Sequence, residues 1–515
     1  MAIALGLLAL SLALRLGQLD ATMNVDGYQH WQDRIRAFWH ALERGDRAAT
    51  YRTHHPGVTF MWLAGALWKL FGLLDAPLGP LKLALAKIPV VVVGAALAPV
   101  IFVLLRRLLG HGHVRGALLA GAIVATEPLL VAASRAMHLD MLQTSLTWCA
   151  VLSALVALKE LRFVWAGLSG LLLGLAILTK LPAAGFALGI ALWTAVLIFT
   201  NRSLRLRAVG ILATIAASAC LTCLVLWPAL LVDPPQTVER VLSGLSHEMH
   251  KSSPFMYLGQ VGRMAVPPSY YGWVVTLLTS PVLWLPALMA GWTLLLRRSP
   301  ARRLLAALVL CSLPYWIGLF TSERSGPRYL ISGLPLLAIA SGLTLEHLGW
   351  RCRWARRALL WRWAATAGFS LLLVLRVARL VQLYPLPEVY CSGFAGVRCE
   401  TVFHLGSGEG YREAALWIRD HVAKHQASRK KIRPIRVYAG SYWSVMNVWL
   451  PVRHARKLGD AELLIDYIND WQRWRPSSEA IRAYVAEHPG ALLHVVRLGG
   501  RAYVRIYRGP RFRAR

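Results

Sequence analysis

Four polar segments of this chain carry ionisable side chains directly beside long apolar runs. Asp26 follows the first run, His138 and Asp140 share a short turn, and Lys180 and Arg328 lie at two further boundaries. A positioned carboxylate can accept a proton as a nucleophile attacks, and a fixed cation can stabilise the negative charge that develops on a leaving group. The residue types therefore favour transfer chemistry at the edge of an apolar region.

The composition shows what kind of region this is. Of the 515 residues, 56% are hydrophobic and 16% are charged, whereas a soluble domain carries about 25% charged residues. This excludes a disordered chain, a collagen and a single large soluble enzyme. The net charge of +32 could suggest a nucleic-acid partner, but basic residues between apolar runs are typical of the cytoplasmic ends of membrane helices. We expect an integral membrane protein and no nucleic-acid partner.

Apolar runs of about 20 residues, the length that crosses a bilayer, recur along the chain. Eleven spans are predicted, at 1–19, 83–105, 115–134, 141–158, 163–180, 183–200, 208–232, 272–296, 303–321, 328–347 and 361–382. A further apolar segment, Val58 to Leu74, starts after Pro56-Gly57 and is interrupted by Lys69. We interpret it as a re-entrant or interfacial helix.

The charges of the loops orient these spans. With the N-terminus inside, the inner loops hold 17 basic residues and the short outer loops hold 4, in keeping with the positive-inside bias. The first span lacks a small-residue cleavage site, so we do not expect a removable signal peptide. The prediction is a multi-pass protein of the cytoplasmic (inner) membrane, with long outer loops at about 20–57 and 233–271.

The tail after Tyr384 also lies outside in this topology. Residues 384–515 contain 22 basic and 11 acidic residues and have the size of a small domain. β-Branched and aromatic enrichment predicts strands at 435–438, 463–467, 492–496 and 502–507, and amphipathic patterns predict helices at 409–424 and 477–487. The two predicted domains are a membrane domain, 1–383, and an extracytoplasmic α/β domain, 384–515.

Two motifs in the chain have a structural explanation. Cys220 and Cys223 form a CxxC inside an apolar run and are interpreted as core packing, whereas Cys391 and Cys399 lie in the external tail, where a disulfide can persist. The glycine-rich stretch Gly406–Gly410 has no preceding strand of a βαβ unit, so it predicts a loop that leads into a helix rather than a nucleotide site.

The order of the motifs carries a family resemblance. An Asp after the first span, an Arg/aromatic helix, His55-Pro-Gly, Asp140 opening a span and Thr179-Lys-Leu-Pro182 resemble family 39 glycosyltransferases, the protein O-mannosyltransferase and aminoarabinose-transferase-like superfamily with the GT-C fold. In the tail, Gly406–Gly410, Asp466–Arg473 and Gly499–Tyr507 resemble a bacterial subgroup. The resemblance implies an inverting enzyme with a polyprenyl-phosphate sugar donor and an acceptor site outside the membrane.

The carboxylates and histidines of the site have competing interpretations. Asp26 is the candidate base, or the cap of a short interfacial helix. Asp140 could orient the acceptor, act as a second acid, or serve only as an N-terminal cap of its helix. His138 could contact the acceptor or be ordinary loop polarity, and His55, which matches the family position, could bind substrate or shape its loop.

The cations and one tyrosine are the candidate donor contacts. Lys180 and Arg328 could bind the donor phosphate, or reach the interface as lysine and arginine side chains at helix ends do. Arg34 and Arg36 lie two positions apart, so at most one faces the site, and Arg34 is assigned to the phosphate. Tyr271 could line the donor groove, although tyrosine is common at membrane interfaces.

No metal cofactor is expected. The residues Asp26, His54, His55, His138 and Asp140 could converge as ligands, but their spacing matches no fixed zinc set. The alternative functions are a transporter or flippase of a lipid-linked sugar, which would show inverted repeats, and a non-catalytic scaffold. The sequence leaves open the sugar and the class of acceptor, whether protein, lipid or glycan.

Overall fold

The computed structural model describes residues 1–250, 255–257, 260–262, 300–322, 327–347, 357–390, 399–402, 405–421, 434–440 and 442–512. The predicted span 272–296, together with Tyr271 and Cys391, lies outside the described residues. The N-terminal part is helical, and a small mixed sheet follows it near the C-terminus. The predicted fold class, a polytopic α-helical membrane protein with a small C-terminal α/β domain, is confirmed.

The helices of the membrane part follow the predicted apolar runs. In chain order they are α1 Ala2–Leu16, α2 Gln32–Glu43, α3 Val58–Leu70, α4 Pro80–Leu109, α5 Val114–Thr126, α6 Pro128–Ser134, α7 Asp140–Glu160, α8 Phe163–Thr179, α9 Ala183–Thr200, α10 Arg205–Leu226, α11 Ala229–Val232, α12 Pro234–Met249, α13 Pro300–Phe320, α14 Leu334–Glu346 and α15 Arg357–Gln382.

Fewer of these helices qualify as full spans than the eleven that the sequence predicts. Among the described residues, seven are long and apolar enough to cross a membrane, and α5 with α6 makes an eighth if the bent pair is one span. That pair bends by 54° because Glu127 is extended and Pro128 begins α6. Helix α8 has only 17 residues, and the run predicted at 208–232 breaks at Trp227-Pro228.

Burial separates the core of the membrane part from its lipid-facing side. Helix α7 is almost wholly buried, because 94% of its 18-residue apolar stretch lies inside the protein. Only 22% of the corresponding stretch of α10 is buried. Leu221 and Val225 of α10 are exposed, as expected for apolar side chains that face lipid. Helix α3, the predicted interfacial segment, buries Phe60 and Trp68 completely and therefore packs inside the protein.

The C-terminal domain contains the helices α16 Cys399–Val402, α17 Tyr411–His421, α18 Ile468–Gln472 and α19 Pro476–Glu487. Its strands are β3 Ile435–Ala439, β4 Val452–His454, β5 Leu463–Tyr467, β6 Leu492–Leu498 and β7 Arg501–Arg508. The strands β1 Phe255–Tyr257 and β2 Gln260–Gly262 form a separate hairpin earlier in the chain. The sheet order is β4-β3-β5-β7-β6, parallel on the β4-β3-β5 side and antiparallel at β7 and β6.

The predicted strands and helices of this domain are all present, and one strand was missed. The short edge strand β4 has three residues, too few for an alternating pattern to reveal it. The centre of the domain is β5, all five residues of which are buried. Cys399 is disulfide-bonded. Cys220 and Cys223 are free thiols in α10; Cys223 is partly buried, whereas Cys220 is exposed, so the interpretation as core packing is wrong for Cys220.

Candidate active site

Five of the predicted site residues form one continuous line of charges. Arg328 Nη1 lies 2.8 Å from Asp26 Oδ2, and His138 Nε2 lies 3.5 Å from the same oxygen. His138 Nδ1 lies 2.9 Å from Asp140 Oδ2, and Lys180 Nζ lies 2.6 Å from Asp140 Oδ1. The imidazole of His138 thus lies between two carboxylates, each of which also contacts a cation.

Four of the five members of this line stand at the ends of helical elements, and His138 lies in the turn before α7. Asp26 immediately precedes a π-helical turn, Gly27–Trp31, and Asp140 is the first residue of α7. Lys180 directly follows α8, and Arg328 lies in the 3₁₀ turn that leads into α14. At the ends of helices, polar side chains can point out of an apolar bundle. The packing of the helices brings these four ends together.

The protonation state of Asp26 follows from its neighbours. Burial by itself would raise the pKa of Asp26, but the positive charges of Arg328 and His138 outweigh burial and lower the pKa to about 2. Asp26 is therefore a carboxylate throughout the physiological range. While it is paired with Arg328, its affinity for a proton is low.

A cavity of about 380 Å³ opens beside this line of charges. Its polar end is lined by His55, Asp140, Gln143, Lys180 and Arg328. The rest of its lining is mostly apolar, apart from Glu248 and Ser322, and comes from α9 and the turn before it, α12 and α13, with the apolar residues Leu181, Pro182, Ala184, Gly185, Leu242, Leu245, Met249, Pro314, Tyr315, Gly318 and Leu319. An amphipathic ligand with a small anionic group and a long apolar chain fits this division.

Tyr329 and Ser332 fix the polar end of the cavity. Tyr329 lies between the two cations, because Lys180 Nζ is 5.3 Å from its ring centroid and Arg328 Nη2 donates to its hydroxyl at 3.1 Å. Ser332 donates to Gln143 Oε1 at 2.8 Å, and its carbonyl accepts from Trp148 Nε1 at 2.7 Å. The sequence predicted a site residue in the polar run around Arg328. It did not predict Gln143 and Ser332, because both lie inside apolar spans.

Arg34, Arg36 and His55, the remaining sequence candidates, have different surroundings. Arg34 is half-buried with its guanidinium carbon 5.0 Å from the Trp31 ring centroid, and the charge of Asp26 opposes the lowering of its pKa by burial. Arg36 instead pairs with Asp33 at 3.1 Å and is exposed. His55 lines the cavity, where burial first and the charge of Lys180 second lower its pKa to about 2, so it is neutral.

The glycine-rich loop of the C-terminal domain packs on the segment that precedes Asp26. The backbone N–H of Val25 donates to the Ser407 carbonyl at 3.0 Å. Gly408 has φ +133°, and a Cβ on it would lie 2.0 Å from the Met23 carbonyl oxygen. The backbone N–H of Gly408 donates to the Tyr467 hydroxyl at 2.8 Å. The loop predicted from Gly406–Gly410 therefore connects the C-terminal domain to the neighbourhood of Asp26.

One stretch of the chain matches a family model. Residues 54–227 match the family described as dolichyl-phosphate-mannose-protein mannosyltransferase. The match includes His55, His138, Asp140 and Lys180, and it begins after Asp26. No curated protein gives a significant match to the chain.

Solved structures share the architecture of nearly the whole chain. ArnT from Cupriavidus metallidurans in the apo state is 16% identical over 98% of this chain and 97% of its own, with a TM-score of 0.55. The same protein bound to undecaprenyl phosphate is 15% identical over 98% and 96%, with a TM-score of 0.51. The oligosaccharyltransferase AglB from Archaeoglobus fulgidus, in complex with an inhibitory peptide and a dolichol-phosphate, is 11% identical over 91% and 69%, with a TM-score of 0.52.

These similarities establish the fold, and the family match confirms the resemblance that the sequence motifs predict. The fold shared with ArnT includes both the membrane helices and the C-terminal domain, because nearly all of each chain is covered. The chain is therefore a multi-pass membrane protein with the architecture seen in ArnT.

Proposed function

We propose that the chain is an inverting glycosyltransferase that moves a sugar from a polyprenyl phosphate to an acceptor on the outer face of the cytoplasmic membrane. One observation carries the proposal: the line of charges from Arg328 to Lys180 borders a cavity that is cationic at one end and apolar along its walls. ArnT, which has the same fold, was crystallised with undecaprenyl phosphate, a ligand of this chemistry.

The cations are the donor site in this proposal. Lys180 and Arg328 both line the cavity, and together they can hold the phosphate and stabilise the charge that it gains when the glycosidic bond breaks. The lipid chain then runs along the apolar walls of α9, α12 and α13. Asp140 holds Lys180 in place at 2.6 Å, so its role is to orient the cation.

Asp26 is the base that accepts the proton of the acceptor hydroxyl group. Binding of the donor phosphate draws Arg328 away from Asp26, and the loss of this partner raises the proton affinity of the carboxylate. The base thus gains strength when the donor is in place. A single carboxylate is sufficient for an inverting displacement at the anomeric carbon, since no covalent sugar intermediate forms.

Transfer by the purified protein in lipid tests this function. Radiolabelled polyprenyl-phosphate mannose, glucose and aminoarabinose are offered with crude envelope acceptors, and label in protein, lipid and glycan fractions is counted. The expected result is transfer from one donor, abolished by Asp26→Asn and retained by Asp33→Asn, which changes an exposed carboxylate of the neighbouring helix. Movement of an intact lipid-linked sugar across the bilayer without transfer would overturn the proposal in favour of a flippase.

A further inference from the structure

A second polar cluster lies beside the cavity and is not used by the proposed reaction. His54, His55 and Glu248 each offer one ligand atom, and these atoms lie within 4.8 Å of one another. His54 and His55 precede α3, whereas Glu248 is on α12, in the long outer loop. The cluster therefore joins two loops that are nearly 200 residues apart in the chain.

We propose that His54, His55 and Glu248 bind one divalent transition-metal ion of the zinc type. Two imidazoles and one carboxylate form a three-residue ligand set known for zinc, with the fourth position open. His55 and Glu248 also line the cavity, so the open coordination position faces the space in which the donor phosphate is placed above.

The geometry of the cluster suits an ion better than a direct contact. His54 Nε2 lies 3.9 Å from Glu248 Oε1, which is too far for a hydrogen bond. Ligand atoms of tetrahedral zinc lie about 3.4 Å apart, given bond lengths of about 2.0–2.1 Å. The cluster therefore needs to contract by at most about 1.5 Å, which side-chain rotation can supply.

Two further features point to a ligand. Within the described part of the chain, the buried Nδ1 of His55 has no hydrogen-bond partner, and a buried polar nitrogen left in this way is costly unless something binds it. Gly244 lies one helical turn before Glu248, and a Cβ on it would lie 2.1 Å from His54 Cβ. Glycine at this position allows the histidine pair to approach α12 closely enough to share an ion with Glu248.

A bound ion would fix one wall of the cavity. Near its start, α12 is attached to α11 by the Thr237 hydroxyl, which donates to the Ala229 carbonyl at 3.3 Å, and Arg240 of α12 has its guanidinium carbon 5.7 Å from the Tyr51 ring centroid. Leu245 and Met249, near its other end, line the cavity. The metal would attach that end to the loop before α3 and so hold the apolar wall in place.

Metal content tests the site without any turnover, so its outcome is independent of the proposed glycosyl transfer. The full-length protein is purified in lipid nanodiscs with a tag that contains no histidine, stripped with a chelator, and dialysed against Zn²⁺. We expect about one zinc per chain, and Co²⁺ should give visible absorption bands of a four-coordinate site. Glu248→Gln and His54→Gln should each weaken zinc binding by at least tenfold, since even the partners of metal ligands contribute about 10–100-fold.

His247→Gln is the matched control, because it removes an exposed histidine from the same helix beside Glu248. It should retain wild-type zinc affinity. Zinc should also slow proteolytic cleavage in 233–250 in the wild type and in His247→Gln, but not in Glu248→Gln. The proposal is overturned if the wild type binds no zinc, or if zinc binding survives the double variant His54→Gln, Glu248→Gln.

Discussion

The substitution Asp26→Asn separates the candidate base from the structure around it. Asparagine has almost the same shape as aspartate but cannot accept a proton at neutral pH. A positioned general base contributes about 10²–10⁴-fold to the rate, which corresponds to about 2.7–5.4 kcal/mol of transition-state stabilisation. We expect kcat for sugar transfer to fall by that factor in the Asp26→Asn variant.

The structure predicts small effects of the same substitution on folding and donor binding. The ion pair between Asp26 and Arg328 has side chains that are 32% and 45% exposed, and pairs this exposed contribute about 0–1 kcal/mol to stability. The loss of Asp26 also frees Arg328 for the donor phosphate. The affinity for polyprenyl phosphate should therefore be unchanged or higher, and the donor KM should not rise.

The assay measures initial rates of label transfer at saturating acceptor, while binding of unlabelled polyprenyl phosphate is titrated separately. Asp33→Asn is the control, because Asp33 is exposed and its partner is Arg36. A kcat for Asp26→Asn within threefold of the wild type would refute the assignment of the base. A loss of donor binding together with kcat would refute the view that Asp26 acts only in the chemical step.

Three further predictions concern Lys180, the glycine-rich loop Gly406–Gly410 and the pH dependence of stability. Lys180→Gln should weaken binding of polyprenyl phosphate by about tenfold or more, since a hydrogen bond to a charged group contributes about 1.5–3 kcal/mol. If a lipid-binding titration gives the variant the same affinity as the wild type, the assignment of Lys180 to the phosphate site is wrong. Gly408→Ala should lower kcat by about tenfold or more with little change in donor binding, because its Cβ would collide with the Met23 carbonyl and displace the segment before Asp26. Gly459→Ala, which has open space for a Cβ, is the control and should be silent. The folded-state pKa of Asp26 is about 2, below its ordinary 3.8, so its pairing stabilises the fold above about pH 4 and is lost as pH falls toward 2. The difference in Tm between wild type and Asp26→Asn should therefore shrink as the pH falls from 4 toward 2, and a difference that stays constant over that range would contradict the assigned pKa.

The amino-acid sequence determined the properties that depend on local pattern. Apolar length and basic residues at the inner loops predicted the membrane fold, since both are set by the thickness and charge asymmetry of the bilayer. β-Branched and aromatic enrichment predicted the strands of the C-terminal domain, Leu463–Tyr467 among them. The cost of an ionisable group beside lipid was sufficient to identify Asp26, His138, Asp140 and Lys180 as candidates.

Tertiary structure alone decided how these groups pair. Asp26 and Arg328 are 302 positions apart, and no local pattern relates two helix ends at that separation. The sequence did not predict a role for Glu248, because a carboxylate on an amphipathic helix is normally a solvated residue. Only the fold brings it to His54. The glycines of the tail predicted a loop, but their contact with the segment before Asp26 depends on how the two parts of the chain pack.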